Sequence, residues 1–189
     1  MNIVLASASP RRFDLLRMIG IEDFTVIAPD IDEVVPPGLS PELTVCKIAL
    51  EKAKNVSLLC HDDDIIIAAD TLVYLDERPI EKPESTDEAI MMLKALSGQQ
   101  HSVYTGIALL RGGVHITGAE MTDVFFREIF DSEIYAYVMT GEPMDKAGAY
   151  GAQGRGAVFI ERIDGDFFNV MGLPLCRLSI MLRSFGVYV

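Results

Sequence analysis

Ile65-Ile66-Ile67-Ala68-Ala69 is an unbroken apolar run five residues long. It is strand-sized, and a strand with no polar face must be covered on both sides, as in the interior of a sheet flanked by helices. Strand and helix patterns alternate around it. Asn2 to Ala6 reads as a buried strand, and Pro10 to Ile19 as a helix with Ser9 as its cap, Pro10 at its first position and Gly20 at its end. Phe24 to Ala28 reads as a second strand. A long helix is expected from Pro41 to Leu59, capped by Ser40 and presenting Val45, Ile48, Ala49 and Lys52 at helical spacing. The apolar run then belongs to a strand, Asp64 to Ala69, that delivers Asp70 and Thr71 near its end. Ser85 and Glu88 form a capping box for a helix that Gly98 terminates, and Ser102 to Leu110 and Val114 to Phe126 flank Gly112-Gly113 as a hairpin. Asp131 caps a further helix ending at Gly141. A strand from Ala157 to Ile163 and a helix from Leu173-Pro174 complete the pattern. The expectation is an α/β fold spanning residues 1–189 as one domain: a mixed twisted sheet flanked by helices, with two lobes and a central cleft.

Composition narrows the function. Half of the 189 residues are apolar and 23% are charged, which excludes disorder as the main state. Sixteen Lys and Arg against 28 Asp and Glu give a net charge of -12, so a nucleic-acid polymer is not the expected partner. Cys46, Cys60 and Cys176 are odd in number and form no C-x-x-C pair, which fits a reducing compartment and core or near-core thiols. His61, His101 and His115 lack metal-ligand spacing, so a bound metal would be held by oxygen. No apolar run reaches the roughly 18 to 20 residues of a membrane span, and no secretory signal fits. A cytoplasmic protein is expected.

Three segments could carry chemistry. Ser7-Ala8-Ser9-Pro10-Arg11-Arg12 lies at a strand-to-helix turn, where unpaired N–H groups and the positive end of the helix dipole attract phosphate. Arg11 and Arg12 strengthen that field; the alternative is a capped helix whose arginines pair with surface carboxylates. Neither G-x-x-x-x-G-K-[ST] nor G-x-G-x-x-G occurs, so P-loop and Rossmann sites are unsupported. An acidic island between Met18 and Cys46 contains no Lys or Arg, and Asp32 and Glu33 are its best candidates for a hard divalent cation, the rest reading as solvated loop. Asp70 follows the apolar run as a metal ligand, a base or simply a cap. Lys52 and Lys82, the latter in Glu81-Lys82-Pro83, could complete a polyphosphate site. Four glycines between Gly148 and Gly156 permit close backbone approach to a ligand, and Gln153 among them could read a base edge.

Together these segments resemble the Maf family of nucleoside triphosphate pyrophosphatases. The resemblance runs from Ser7 to Leu175 through the S-x-S-P-R-R turn, Glu33, Glu51-Lys52-Ala53, Ala69-Asp70-Thr71, Glu81-Lys82-Pro83, Leu96-Ser97-Gly98, the Glu142-Pro143 to Gly154 segment and Asn169 to Pro174. Departures are mild: Glu81 stands where glycine is frequent, Ala152 where isoleucine is, and Phe167-Phe168 where tyrosines are. The resemblance implies a fold similar to inosine triphosphatases and hydrolysis of a nucleoside triphosphate to the monophosphate and pyrophosphate. It implies Asp70 as proton acceptor, and Glu33 with Asp70 at a divalent metal, Mg or Mn. Ser7, Ser9, Arg11, Arg12, Lys52 and Lys82 would hold the phosphates. Arg11, Thr71 and Gln153 resemble the subgroup that prefers dTTP and UTP over 7-methyl-GTP, with house-cleaning of non-standard nucleotides as an associated role. Dimers are common among similar proteins, so a homodimer is a further expectation. The rival reading is a nucleotide-binding regulator of cell division, which needs the phosphate cradle but neither base nor metal.

Overall fold

The computed structural model describes residues 2–32, 34–35 and 38–189. Its described strands form one mixed sheet in the order β2-β1-β3-β5-β6-β7, with β4 paired to β3. β1 (Ile3–Ala6) runs parallel to β2 (Phe24–Val26) and to β3 (Ile65–Leu75), with Leu5 opposite both Val26 and Ile67. The connections are α1 (Pro10–Met18) and α2 (Pro41–Ser57), as parallel neighbours require. β4 (Arg78–Ile80) returns antiparallel on β3, and α3 (Thr86–Leu96) leads to β5 (Gln100–Arg111) and β6 (Val114–Phe126). After α4 (Asp131–Val138), β7 (Ile160–Asp164) pairs antiparallel with β6, and α5 (Phe167–Val170) and α6 (Leu175–Arg183) follow. This is the expected α/β class with a mixed sheet.

The residues gather into two compact units. The first comprises Met1–Asp70, Thr105–Glu120 and Gly172–Val189, the second Thr71–Tyr104 and Met121–Met171. In the first, Val4, Ala6, Ile66 and Ala68 of the sheet pack with Ala49, Ala53 and Val56 of α2. The small alanines let helix and sheet approach closely. At Gly106 the approach is so close that a Cβ would stand 2.4 Å from the backbone carbon and oxygen of Val45. In the second unit, Leu93 and Leu96 of α3 and Ile134 and Val138 of α4 join Val103, Val124 and Phe126 in the core. Edge-to-face contacts among His101, Phe126 and Tyr150 extend it, with ring centroids 4.7 to 5.3 Å apart.

Several boundaries differ from the sequence reading. β3 does not stop at Ala69 but continues to Leu75, so Asp70 and Thr71 lie mid-strand. Leu72, Val73 and Tyr74 resume burial after the polar interruption, and Asp70 itself is buried. β4 carries no sequence signal because its turn, Asp76-Glu77, lacks glycine, although both residues adopt left-handed backbone with φ of 48° and 64°. Asp131 is not the cap of α4. Phe130 holds that position, and the Glu133 carboxylate accepts its N–H at 3.0 Å. Ser9 occupies the cap position of α1 without a side-chain cap bond, whereas the Ser40 hydroxyl accepts the Leu43 N–H at 3.4 Å. Arg155–Phe159 forms a 3-10 helix where a strand was expected, β7 beginning only at Ile160. Cys46 and Cys60 are partly buried as expected, but Cys176 on α6 is exposed. Among the described residues, no helix is long and apolar enough to cross a membrane.

Candidate active site

β1 ends in the turn that starts α1, and its first polar residue, Ser7, is buried. The Ser7 hydroxyl accepts the Ser9 N–H at 3.2 Å and lies 3.4 Å from Arg12 Nη1. Arg12 Nε donates to the Gly172 carbonyl at 2.7 Å. Arg12 therefore ties the turn to the segment leading into α6, a link across 160 positions that no local pattern signals. Arg11 and Ser9 are both half-buried on the same turn, and α1 has no acidic residue in its first turn to offset their field.

The second pairing joins α2 to β3. Lys52 lies on the buried stripe of α2 with Ile48, Ala49, Ala53 and Val56, an apolar row apart from its ammonium. That ammonium donates to Asp70 Oδ1 at 2.6 Å, both side chains being 5% exposed. A charged pair this deep is tolerated only because each partner neutralises the other. Asp70 Oδ2 is also buried and has no hydrogen-bond partner among the described residues. A buried carboxyl oxygen left in this state is suited to accept a proton or ligate a cation. Sequence alone points Lys52 to phosphate and Asp70 to a base or metal role separately; the fold brings the two into direct contact.

Glu33 lies outside the described residues. Asp32 is exposed, and no group of three or more His, Cys, Asp or Glu among the described residues could hold a metal. The chemistry of Asp70 Oδ2 still fits Mg or Mn, since Mg is commonly held by one or two carboxylates together with substrate phosphates and water. Three candidates belong to the second unit: Thr71 is half-buried, and Lys82 and Gln153 are exposed.

The glycine-rich segment is organised around a group the sequence reading passed over. Glu142 Oε1 accepts from the Tyr137 hydroxyl at 2.9 Å and from the Gly156 N–H at 3.2 Å, and Oε2 accepts the Arg155 N–H at 3.0 Å. Burial alone would raise the Glu142 pKa, but these hydrogen bonds and nearby Lys146 hold it below its ordinary value. Burial and the adjacent carboxylate push the Tyr137 phenol well above the ordinary tyrosine range, so it stays a donor. A glutamate six to fourteen positions before a set of glycines is the available signal.

Comparison with known proteins places the chain in a family. The fold is similar to that of a HAM1 protein from Coxiella burnetii, with a TM-score of 0.51 at 19% identity over 97% of this chain and 99% of that one. The family described as Maf-like protein matches residues 2–185, and the chain belongs to it. Relatives named dTTP/UTP pyrophosphatase include one from Caldicellulosiruptor bescii, 44% identical over 98% of this chain and 95% of its own. Another from Alkaliphilus oremlandii is 46% identical over 97% and 95%, and one from Symbiobacterium thermophilum 47% over 98% and 94%.

Proposed function

We propose that this member of the Maf family of nucleotide pyrophosphatases hydrolyses dTTP and UTP to their monophosphates and pyrophosphate. The observation that carries the reading is the buried Lys52–Asp70 pair, with one carboxylate oxygen bonded and the other without a hydrogen-bond partner among the described residues. Lys52 fixes the orientation of the carboxylate, and Oδ2 takes the proton of a water attacking the α-phosphorus. The water oxygen forms the new P–O bond as the bond between the α-phosphorus and the bridging oxygen breaks. Pyrophosphate leaves with that electron pair. Arg11, Arg12 and Lys82 would bind the phosphate oxygens and stabilise charge moving onto the leaving group, with Ser7 and Ser9 shaping the turn. A divalent cation, Mg or Mn, held by Asp70 with Glu33, would neutralise phosphate oxygens.

The base assignment is supported by the names of the relatives and by amide chemistry. The Gln153 side chain offers both donor and acceptor groups, matching the carbonyl and N3–H edge shared by thymine and uracil. A 7-methylguanine ring is cationic and would be better met by a carboxylate. The test is pyrophosphate release from a panel of dTTP, UTP, CTP, GTP, ATP and 7-methyl-GTP, each with Mg or Mn and again in excess chelator. The expected result is highest kcat/KM for dTTP and UTP and loss of turnover with chelator. A best substrate of 7-methyl-GTP would overturn the base assignment, turnover in chelator would overturn the metal role, and binding without release across the panel would favour the regulator.

A further inference from the structure

The glycines between Gly148 and Gly156 were expected to admit a ligand, yet three of them close on the chain's own side chains. A Cβ at Gly154 would stand 2.6 Å from Glu142 Oε1, one at Gly151 3.2 Å from the same oxygen, and one at Gly156 2.7 Å from the Tyr137 hydroxyl. The absent side chains make room for a carboxylate and a phenol. Those two groups grip the segment at both ends. At its start, the Gly151 N–H donates to the Tyr137 hydroxyl at 3.1 Å, and that hydroxyl donates to Glu142 Oε1. At its finish, the Arg155 and Gly156 N–H groups donate to Oε2 and Oε1 of the same carboxylate. Glu142 is anchored in turn, because its backbone carbonyl accepts from the Lys146 ammonium and its N–H donates to the Thr140 hydroxyl at 3.2 Å. Between the gripped ends stand only Ala152, Gln153 and Gly154, and Gln153 is exposed at the tip.

A glycine-rich segment loses much backbone freedom when ordered, and bonds to an ionised carboxylate are the strong kind that can offset the loss. We propose that Glu142, with Tyr137 as its relay, is a positioning residue for nucleobase selection: it holds the Ala152–Gln153–Gly154 tip in one conformation so that the Gln153 amide meets a pyrimidine edge already oriented. The inference rests on the dTTP/UTP reading above and adds to it the group that makes Gln153 selective. Glu142 does not touch substrate in this account. Its effect falls on binding and on discrimination between bases, and less on the chemical step.

Glu142→Gln keeps the size of the side chain but turns an amide N–H2 toward one of its three donors, so one end of the segment loses its hold. Tyr137→Phe removes the Gly151 link and leaves the two backbone bonds. In both variants, amide hydrogen exchange of residues 151–156 in the unliganded enzyme is expected to accelerate. For Glu142→Gln the KM for dTTP and UTP should rise about tenfold while kcat changes less than threefold, and the kcat/KM ratio of dTTP to 7-methyl-GTP should fall by a similar factor. Tyr137→Phe should show the same split, smaller in size, and carries the test if Glu142→Gln does not fold by circular dichroism. Unchanged exchange would overturn the clamp. Faster exchange with KM and base ratio intact, or a fall in kcat alone, would overturn its role in selection. An unmodified enzyme inactive on dTTP and UTP would instead refute the proposed substrates, while the exchange measurement still reports on the clamp.

Discussion

At the scale of single residues, the energetics turn on one buried ion pair. Lys52 and Asp70 meet at 2.6 Å with side chains 5% exposed, where Coulomb attraction offsets a desolvation cost that neither group could bear alone. Removing one partner leaves the other charge buried opposite a neutral group. Asp70→Asn is therefore expected to do two separable things. It should reduce turnover by about 100- to 10,000-fold through loss of the proton acceptor, and it should also lower unfolding stability, on the order of 3 kcal/mol, because the buried Lys52 side chain loses its counter-charge. Lys52→Met should be destabilised to a similar degree. In the double variant no buried charge remains, so urea unfolding should recover a large part of the summed loss. Strict additivity in that cycle would mean the contact contributes no coupling. Each residue was individually legible in the sequence, Lys52 from its place on a helical stripe and Asp70 from the apolar run before it. Their contact was not, because it depends on how α2 is rotated over β3, which tertiary packing sets.

Among the elements, α2 and the sheet are locked by a contact of backbone against backbone. Gly106, on β5, lies where any side chain would enter the Val45 peptide, a Cβ falling 2.4 Å from its carbonyl oxygen and 2.6 Å from the Cys46 nitrogen. Neither atom is the end of a flexible side chain, so the helix itself would have to move. Gly106→Ala should accordingly destabilise by about 3 kcal/mol or more, measured by chemical denaturation, and should lower activity as well, because the displaced helix carries Lys52. A near-neutral variant would show that α2 can shift at little cost. This closeness was illegible in the sequence, where Gly106 sits inside a strand pattern with no turn signal beside it. By contrast, β6 was readable to the residue, Val114 to Phe126, because Gly112-Gly113 marks its start and the apolar pattern continues unbroken by proline. The hairpin of β3 and β4 hid for the opposite reason: Asp76-Glu77 makes a turn ordinarily given to Asn-Gly. The clamp at Glu142 stayed hidden because two of its three carboxylate partners are backbone N–H groups, which no residue type announces.

For the molecule as a whole, the dependence of stability on pH combines opposing contributions. A net charge of -12 makes the folded chain repel itself at neutrality, and protonation of its carboxylates relaxes that repulsion as pH falls. His101 works in the other direction. It is 2% exposed, its Nε2 lies 2.8 Å from the Tyr150 hydroxyl, and Nδ1 is buried without a hydrogen-bond partner among the described residues. Burial pulls its pKa down to about 4, against a smaller upward pull from Asp123. An unfolded histidine titrates near 6.5, so between about 6.5 and 4 the unfolded chain takes up a proton that the folded chain refuses. Stability is thus lost as pH falls through that window, by about 2 kcal/mol between pH 7 and 5. Glu133 acts lower down. Hydrogen bonds accepted from Arg127 and the Phe130 N–H hold its pKa down to about 2, so its contribution persists above its ordinary value of 4.5 and fades only as pH drops from there toward 2. The two windows barely overlap, which makes the histidine separable by substitution. His101→Gln keeps a polar group opposite Tyr150 and cannot titrate. Its unfolding free energy should be lower than the parent's at pH 7, yet fall by about 2 kcal/mol less on going to pH 5, since the charge relaxation common to both proteins cancels in the comparison. Parallel losses in the two proteins over that range would show that the proton taken up on unfolding goes elsewhere than His101.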